Sequence, residues 1–135
     1  MEDLIKDFEQ RFILGMAQMD KTHAEFVELI NRLGRAEKAE FVTLFPALVE
    51  HTRKHFDAEQ ALMEDSRFPA TGEHWSEHQR VMGELTRFGE KVAAGSTLMG
   101  RAYIREQLPQ WFELHTLTMD SALAAHLKYT MAQAE

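Results

Sequence analysis

The stretch "HTRKHFDAEQALM", residues 51–63, sets His51, His55 and Glu59 four residues apart inside a run that reads as helix. Four residues advance an α-helix by slightly more than one turn, so these side chains share a face at intervals of about 6 Å in rise. Leu48 and Leu62 stand on the same stripe. Imidazoles and a carboxylate therefore occupy positions whose neighbours are built to be buried, and the fold must provide for them.

Outward from this stretch, patterns of period 3.6 cover most of the chain, and no period-two alternation competes with them. Met19, His23, Phe26, Ile30 and Leu33 mark a first helix from about Asp20 to Leu33. Leu44, Leu48, His55, Glu59 and Leu62 mark a second, from about Glu40 to Asp65. A third starts near Thr71 and carries His74, His78, Val81, Leu85, Phe88 and Val92. The fourth, from about Thr97 to Tyr129, carries Ile104, Leu108, Trp111 and His115. The links "GRAEKA", "SRFPATG" and "AGS" are short, and short links force antiparallel neighbours. The expectation is an all-α protein, an up-down-up-down four-helix bundle with an irregular N-terminal arm over 1–18. Pro46 and Pro109 each belong in a first turn or at a kink. Residues 1–135 read as one domain, long enough to bury a core.

Composition narrows the chemistry. With no cysteine, disulfides, thiolate chemistry and cysteine-held zinc or iron–sulfur sites are excluded. Acidic residues outnumber basic ones 22 to 15, and the formal charge of −7 disfavours nucleic acid and anionic membranes as partners. The N-terminus "MEDLIKDFEQRF" is charged throughout and no apolar run approaches a membrane span, so a cytoplasmic protein is expected. The eight methionines read as flexible core filler.

Of seven histidines, His23, His55, His74, His78 and His115 fall on the apolar stripes of their helices. One inward histidine is ordinarily a satisfied core residue. Five on four helices would crowd one another, each needing a partner, and a charged cluster cannot be buried unpaired. A metal site resolves the conflict, because it takes neutral imidazoles and deprotonated carboxylates as ligands.

The set resembles the hemerythrin family in its bacterial single-domain form, over nearly the whole chain from "LGMAQMDKTHAEFVELINRL" to "WFELHTLTMD". The family pattern is a histidine on the first helix, then His-x-x-x-Glu, then His-x-x-x-His, then a histidine followed five residues later by aspartate. These positions fall here on His23; His55 and Glu59; His74 and His78; and His115 and Asp120. "HFDAEQALM" and "RFPATGEHWSEH" are also close to the family's wording. The resemblance implies these seven residues as ligands of two iron ions without haem, bridged by an oxo or hydroxo group and by the carboxylates of Glu59 and Asp120. Around a pair of octahedral irons, five histidines, two bridging carboxylates and one such bridge fill every position but one, which is left open for a diatomic ligand. On a regular helix His115 and Asp120 stand about 140° apart. A local π-bulge between them is therefore expected. The resemblance also places Phe26, Phe56, Trp111 and Phe112 around the open position, with Thr116 where the family usually has isoleucine or leucine. Ordinary core packing accounts for the aromatics equally well.

Two other readings of these residues fail. "HWSEH" matches the His-x-x-Glu-His signature of a zinc-protease class, but this leaves His23, His55, Glu59, His115 and Asp120 without a purpose. Glu77 is better read as a solvated or supporting acid. A ferritin-like carboxylate site needs Glu-x-x-His pairs, and the sequence has none. His51 is not a family ligand, and His126 is expected at the surface. Glu25, Asp57 and Glu113 are weak candidates for groups that orient the ligand histidines. The expected function is reversible O2 binding for carriage, storage or sensing. Turnover of peroxide or nitric oxide at the same metals is the alternative, and iron handling a third; no protein partner is indicated.

Overall fold

A computed structural model describes residues 2–134. The described chain is helical without strands: α1 (Phe8–Arg11), α2 (Ala17–Arg35), α3 (Lys38–Ser66) and α4 (Thr71–Ala93), then a long final rod over 98–134. The rod comprises α5 (Leu98–Ala102), a π turn (Tyr103–Gln107), α6 (Leu108–His115), a second π turn (Thr116–Asp120) and α7 (Ser121–Ala134). Helices α2, α3, α4 and the rod form the expected four-helix bundle.

The links are short because the helix ends are closed locally. Past α3, Arg67 adopts the left-handed conformation (φ 56°), and the Phe68 amide returns to the Met63 carbonyl at 2.9 Å. Past α4, Gly95 (φ 94°) lets the Ser96 amide reach the Lys91 carbonyl at 2.9 Å. Ahead of α2, the Asp20 carboxylate accepts the amides of Leu14 (2.7 Å) and Gly15 (3.1 Å) and fixes the turn leading in; the helix itself begins at Ala17, three residues before the sequence pattern suggests.

The two prolines are accommodated differently. Pro46 lies inside α3, exposed, and the helix runs through it as one element rather than starting there. Pro109 sits in the first turn of α6, directly after the π turn at 103–107. A proline removes an amide donor and crowds the carbonyl four residues back; the wider turn relieves both.

The arm is less irregular than its sequence suggests, since it contains the one-turn α1 and is fastened to the bundle. Buried Asn31 takes both polar groups of the Ile5 backbone: its Oδ1 accepts the amide at 2.9 Å and its Nδ2 donates to the carbonyl at 3.1 Å. Leu4 crosses α2 at Gly34, where any β-carbon would lie 2.6 Å from Leu4 Cδ1. Arg35–Asp3 and Arg11–Glu113 add surface pairs. Asn31→Leu strands both Ile5 groups, and a buried unpaired polar group costs about 1–3 kcal/mol. We expect that variant to lose about 2–4 kcal/mol in urea unfolding and to be cleaved faster within the arm; an unchanged midpoint and cleavage rate contradict the fastening.

Two apolar clusters divide the interior. The larger contains Phe26, Ile30, Phe45, Leu48, Phe56, Val81, Leu85, Ile104 and Phe112. The smaller contains Met19, Met63, Phe68, Leu123, Ala124 and Leu127. Along α2 and the final rod the inward histidines fall between residues of these two groups: His23 between Met19 and Phe26, and His115 with Asp120 between Phe112 and Leu123. The methionines are not all core filler: Met19 and Met63 are, whereas Met99 and Met131 are more than half exposed. No helix among the described residues is long and apolar enough to cross a membrane.

Candidate metal centre

The bundle brings all seven expected donors together and buries them: His23, His55, Glu59, His74, His78, His115 and Asp120 are each 7 % exposed or less. They fall into overlapping groups whose ligand atoms lie within 4.8 Å of one another: Glu59, His74, His78, His115 and Asp120 form one, and His23, His55 and Glu59 the other. The π turn at 116–120 is what admits Asp120. One extra residue in the turn carries it round onto the face of His115, and Oδ1 comes to 3.1 Å from His115 Nε2.

The carboxylates divide their oxygens between the imidazoles. Glu59 Oε1 faces His74 (3.2 Å) and His78 (3.5 Å), whereas Oε2 faces His55 (2.6 Å) and His23 (3.5 Å). Asp120 Oδ1 faces His74 (3.1 Å) and His115, and Oδ2 faces His23 (3.1 Å). His78 and His115 approach nitrogen to nitrogen at 3.2 Å. Despite these distances, His23 Nε2 and Asp120 Oδ1 make no aligned hydrogen bond. His55 and His74 do bond Glu59, but buried polar groups ordinarily all find partners, and these two atoms are left facing the cluster as metal donors would be. Five imidazoles and two carboxylates also suit iron. The residues present fit a metal.

Without metal the site is held by protons. Burial opposes charge on His23 and His74, but the Asp120 and Glu59 carboxylates beside them outweigh it and push both up to about 9. Burial pushes His78 down to about 3, with Glu59 opposing and His74 and His115 reinforcing. Burial also works against ionised Glu59 and Asp120, and in Asp120 so does the charge of Glu59. The surrounding imidazoles prevail and hold both carboxyls below the usual range. His23 and His74 bind protons more tightly folded than unfolded, so they stabilise the metal-free fold below pH about 6.5 and lose that support as pH rises through about 9. His78 and the carboxylates, with lowered values, lose theirs as pH falls. Metal-free protein should therefore be most stable near pH 6.5, roughly where these opposing trends meet. Urea midpoints at pH 5, about 6.5 and 8.5 test this; a midpoint still rising at pH 8.5 contradicts it.

Aromatic rings pack against the imidazoles. Phe56 stacks on His78 at 3.7 Å, and Trp111 on His115 at 4.5 Å. Phe112 stands edge-on to His23 and stacks on Phe26, which in turn meets His55 edge-on. Thr116 is fully buried and its hydroxyl has no partner, whereas Thr52, the other fully buried threonine, donates to the Leu48 carbonyl at 2.8 Å.

Other expectations are corrected. His126 is half-buried rather than exposed: it packs on Phe68, and its Nε2 donates to the Ser66 carbonyl at 2.9 Å at the end of α3. None of Glu25, Asp57 and Glu113 orients a donor histidine. Glu25 faces His51 at 3.3 Å, Glu113 pairs with Arg11, and Asp57 is exposed. His51 lies outside both donor groups. Glu77 also lies outside both donor groups. Arg80 grips it and holds its carboxyl below the usual range, and it accepts the Trp111 indole N–H at 2.8 Å, steadying the ring that stacks on His115. The Glu77–Arg80 pairing is visible as an i,i+3 spacing; the contact across to Trp111 leaves no such trace.

A four-helix bundle enclosing a buried imidazole–carboxylate cluster is the build of a protein that holds metal between its helices. Known sequences agree. The family described as "Hemerythrin HHE cation binding domain" matches residues 14–128. A bacteriohemerythrin of Ralstonia nicotianae is 36% identical over 114 residues, 84% of this chain and 82% of that protein. Bacteriohemerythrins of Stenotrophomonas maltophilia and Pseudomonas aeruginosa are each 24% identical; they match 89% and 88% of this chain and 80% and 79% of their own lengths. No solved structure matches. The chain belongs to the hemerythrin family. Membership implies non-haem iron binding and a function related to O2, and the histidine–carboxylate cluster fits a metal site.

Proposed function

We propose that this chain is a di-iron protein that binds dioxygen reversibly, for carriage, storage or sensing, and that 1–135 act as one hemerythrin-like domain. The observation that carries the reading is the division of the carboxylate oxygens: Glu59 and Asp120 each turn one oxygen toward the His74 side and the other toward His23. A carboxylate placed this way is suited to bridging two cations. His74, His78 and His115 would hold one iron and His23 and His55 the other, with Glu59, Asp120 and an oxo or hydroxo group shared. The side with fewer imidazoles, His23 and His55, would leave room for a further ligand, and the bound metals would supply the reversible electron transfer that O2 binding needs.

The chain's own part is to fix the donors, move protons and exclude water. In the metal-free protein at pH 7, His23 and His74 are protonated, and metal requires them neutral. Anaerobic addition of ferrous iron should thus release protons, and apparent affinity should climb as pH rises toward 9. A lightly buffered titration with no proton release at pH 7 contradicts this. Phe26, Phe56, Phe112 and Trp111 pack over the imidazoles and limit water at the site, which favours release of O2 unchanged.

One observation favours the second reading, turnover of peroxide or nitric oxide: the unpartnered hydroxyl of Thr116. Thr116 follows His115 in the chain, and on this reading its hydroxyl would donate to a bound ligand or hold a water, either of which would speed irreversible oxidation. Thr116→Ile should slow loss of the O2-dependent absorption several-fold; an unchanged stopped-flow decay removes Thr116 from the account. The reading itself is tested by the optical spectrum of anaerobically reduced protein before and after air. A band that appears and then reverses under vacuum supports it; rapid bleaching to the oxidised spectrum favours turnover, and no band ends both readings.

A further inference from the structure

A histidine that holds a metal ordinarily donates its second ring N–H to an oxygen, and that bond fixes the plane of the imidazole. His115 is placed differently. Its Nε2 faces Asp120 and His78, while its Nδ1 is buried without a hydrogen-bond partner among the described residues. What lies flat against the ring is the Trp111 indole, 4.5 Å away and 19° from parallel. His78, whose Nε2 stands 3.2 Å from that of His115, is covered in the same manner by Phe56, at 3.7 Å and 1°. Phe56 and Trp111 meet each other edge-on at 6.1 Å. Two neighbouring donors are therefore backed by two aromatic rings in mutual contact.

Stacking resists tipping of a ring but lets the two faces slide. Of the two backing rings only Trp111 carries a polar group, and that group is tied: the indole N–H donates to Glu77 Oε1 at 2.8 Å. Glu77 is itself held. Arg80 donates to both of its oxygens, from Nη2 at 2.6 Å and from Nε at 3.4 Å. The third guanidinium nitrogen, Nη1, reaches Glu84 at 3.0 Å, and Glu84 accepts the hydroxyl of buried Tyr103 at 3.1 Å. These bonds leave the final rod at Tyr103, run along α4 and return to the rod at Trp111, one turn before His115 on the same face.

The geometry points to Glu77 as a positioning residue of the metal centre: by holding the Trp111 indole it fixes the plane in which His115 presents Nε2. This role rests on the function proposed above, since it needs iron at His115. Glu77 also precedes His78 in α4, so a substitution there has a second route to the centre through the backbone. The Trp111→Phe background separates the two routes, because it keeps a ring against His115 and removes the N–H.

The test compares wild type, Glu77→Leu, Glu77→Gln, Trp111→Phe and the double variant Glu77→Leu/Trp111→Phe. Each is loaded with ferrous iron without air and mixed with an excess of a ferrous chelator. The Glu77–Arg80 pair is partly exposed and contributes little to stability, so all should fold, which circular dichroism checks. Glu77→Leu should lose iron about tenfold faster, in line with removal of a group that orients a ligand. Glu77→Gln keeps an oxygen for the indole and should hold iron nearly as wild type does. In the Trp111→Phe background Glu77→Leu should change nothing further. Metal-free protein gives a second readout: with the other indole removed by Trp75→Phe, acrylamide should quench half-buried Trp111 more readily when Glu77 is leucine. Wild-type iron loss from Glu77→Leu overturns the proposal, as does unchanged quenching. A glutamine variant as fast as the leucine one also overturns it, by making charge rather than the indole bond the agent. So does full acceleration in the Trp111→Phe background, which places the effect in the backbone of α4. Wild-type protein that holds no iron overturns the proposed function, and the positioning role with it.

Discussion

Stripping the iron from the purified protein is expected to lower its thermal midpoint by about 10 °C or more. The folded chain alone gathers seven donors from four helices, so iron binds the native state in preference to the unfolded one. Such a ligand stabilises by RT ln(1 + [L]/Kd), about 4 kcal/mol at a thousandfold excess over Kd. For a domain of this size each kcal/mol is worth roughly 3–5 °C. The metal-free site adds its own costs. His23 Nε2 and Asp120 Oδ1, which face the centre, are left buried and unpaired. Calorimetry of iron-loaded and chelated samples at one pH makes the comparison. Coincident midpoints would mean that iron gains nothing from the folded arrangement.

On the di-iron reading proposed above, Glu59→Ala should cost the protein its iron while leaving its helices intact. Glu59 is the one donor that belongs to both ligand groups, and its two oxygens serve four of the five histidines. Alanine is the best helix former, so α3 is not weakened locally. Removing a group that merely supports a ligand typically lowers metal affinity about 10–100-fold, and losing a shared ligand exceeds that. Iron per chain after gel filtration should fall to half or less of the wild-type value, with far-ultraviolet dichroism unchanged. His51→Ala, one turn earlier on the same helix, should keep its full iron. Full iron in Glu59→Ala would remove the bridging role.

The contrast between His51 and Glu59 indicates what the sequence makes legible. Period 3.6 puts His51, His55 and Glu59 on one face, and the bundle and its inward histidines follow from such faces. Once the family resemblance pairs His115 with Asp120, their five-residue gap calls for a π turn, because a regular helix cannot serve one centre from both positions; that turn lies at 116–120. What separates His51 from the donors is where α2 crosses α3, and Glu25 waits for it there. The π turn at 103–107 is not legible, since Pro109 alone does not say on which side the helix will yield. Nor are the hold of Asn31 on the arm, the His126 contact with Ser66, and the Glu77–Trp111 bond, each of which joins segments remote in sequence. The division of carboxylate oxygens depends on rotamers fixed by all four helices at once, so no single helix pattern contains it.

Anomalous diffraction from crystals of the iron-loaded protein, collected at the iron edge, tests the central claim most directly. The account predicts two peaks per chain, one among His74, His78 and His115 and the other beside His23 and His55, with Glu59 and Asp120 reaching both. A single peak, or one displaced toward His51, would contradict it.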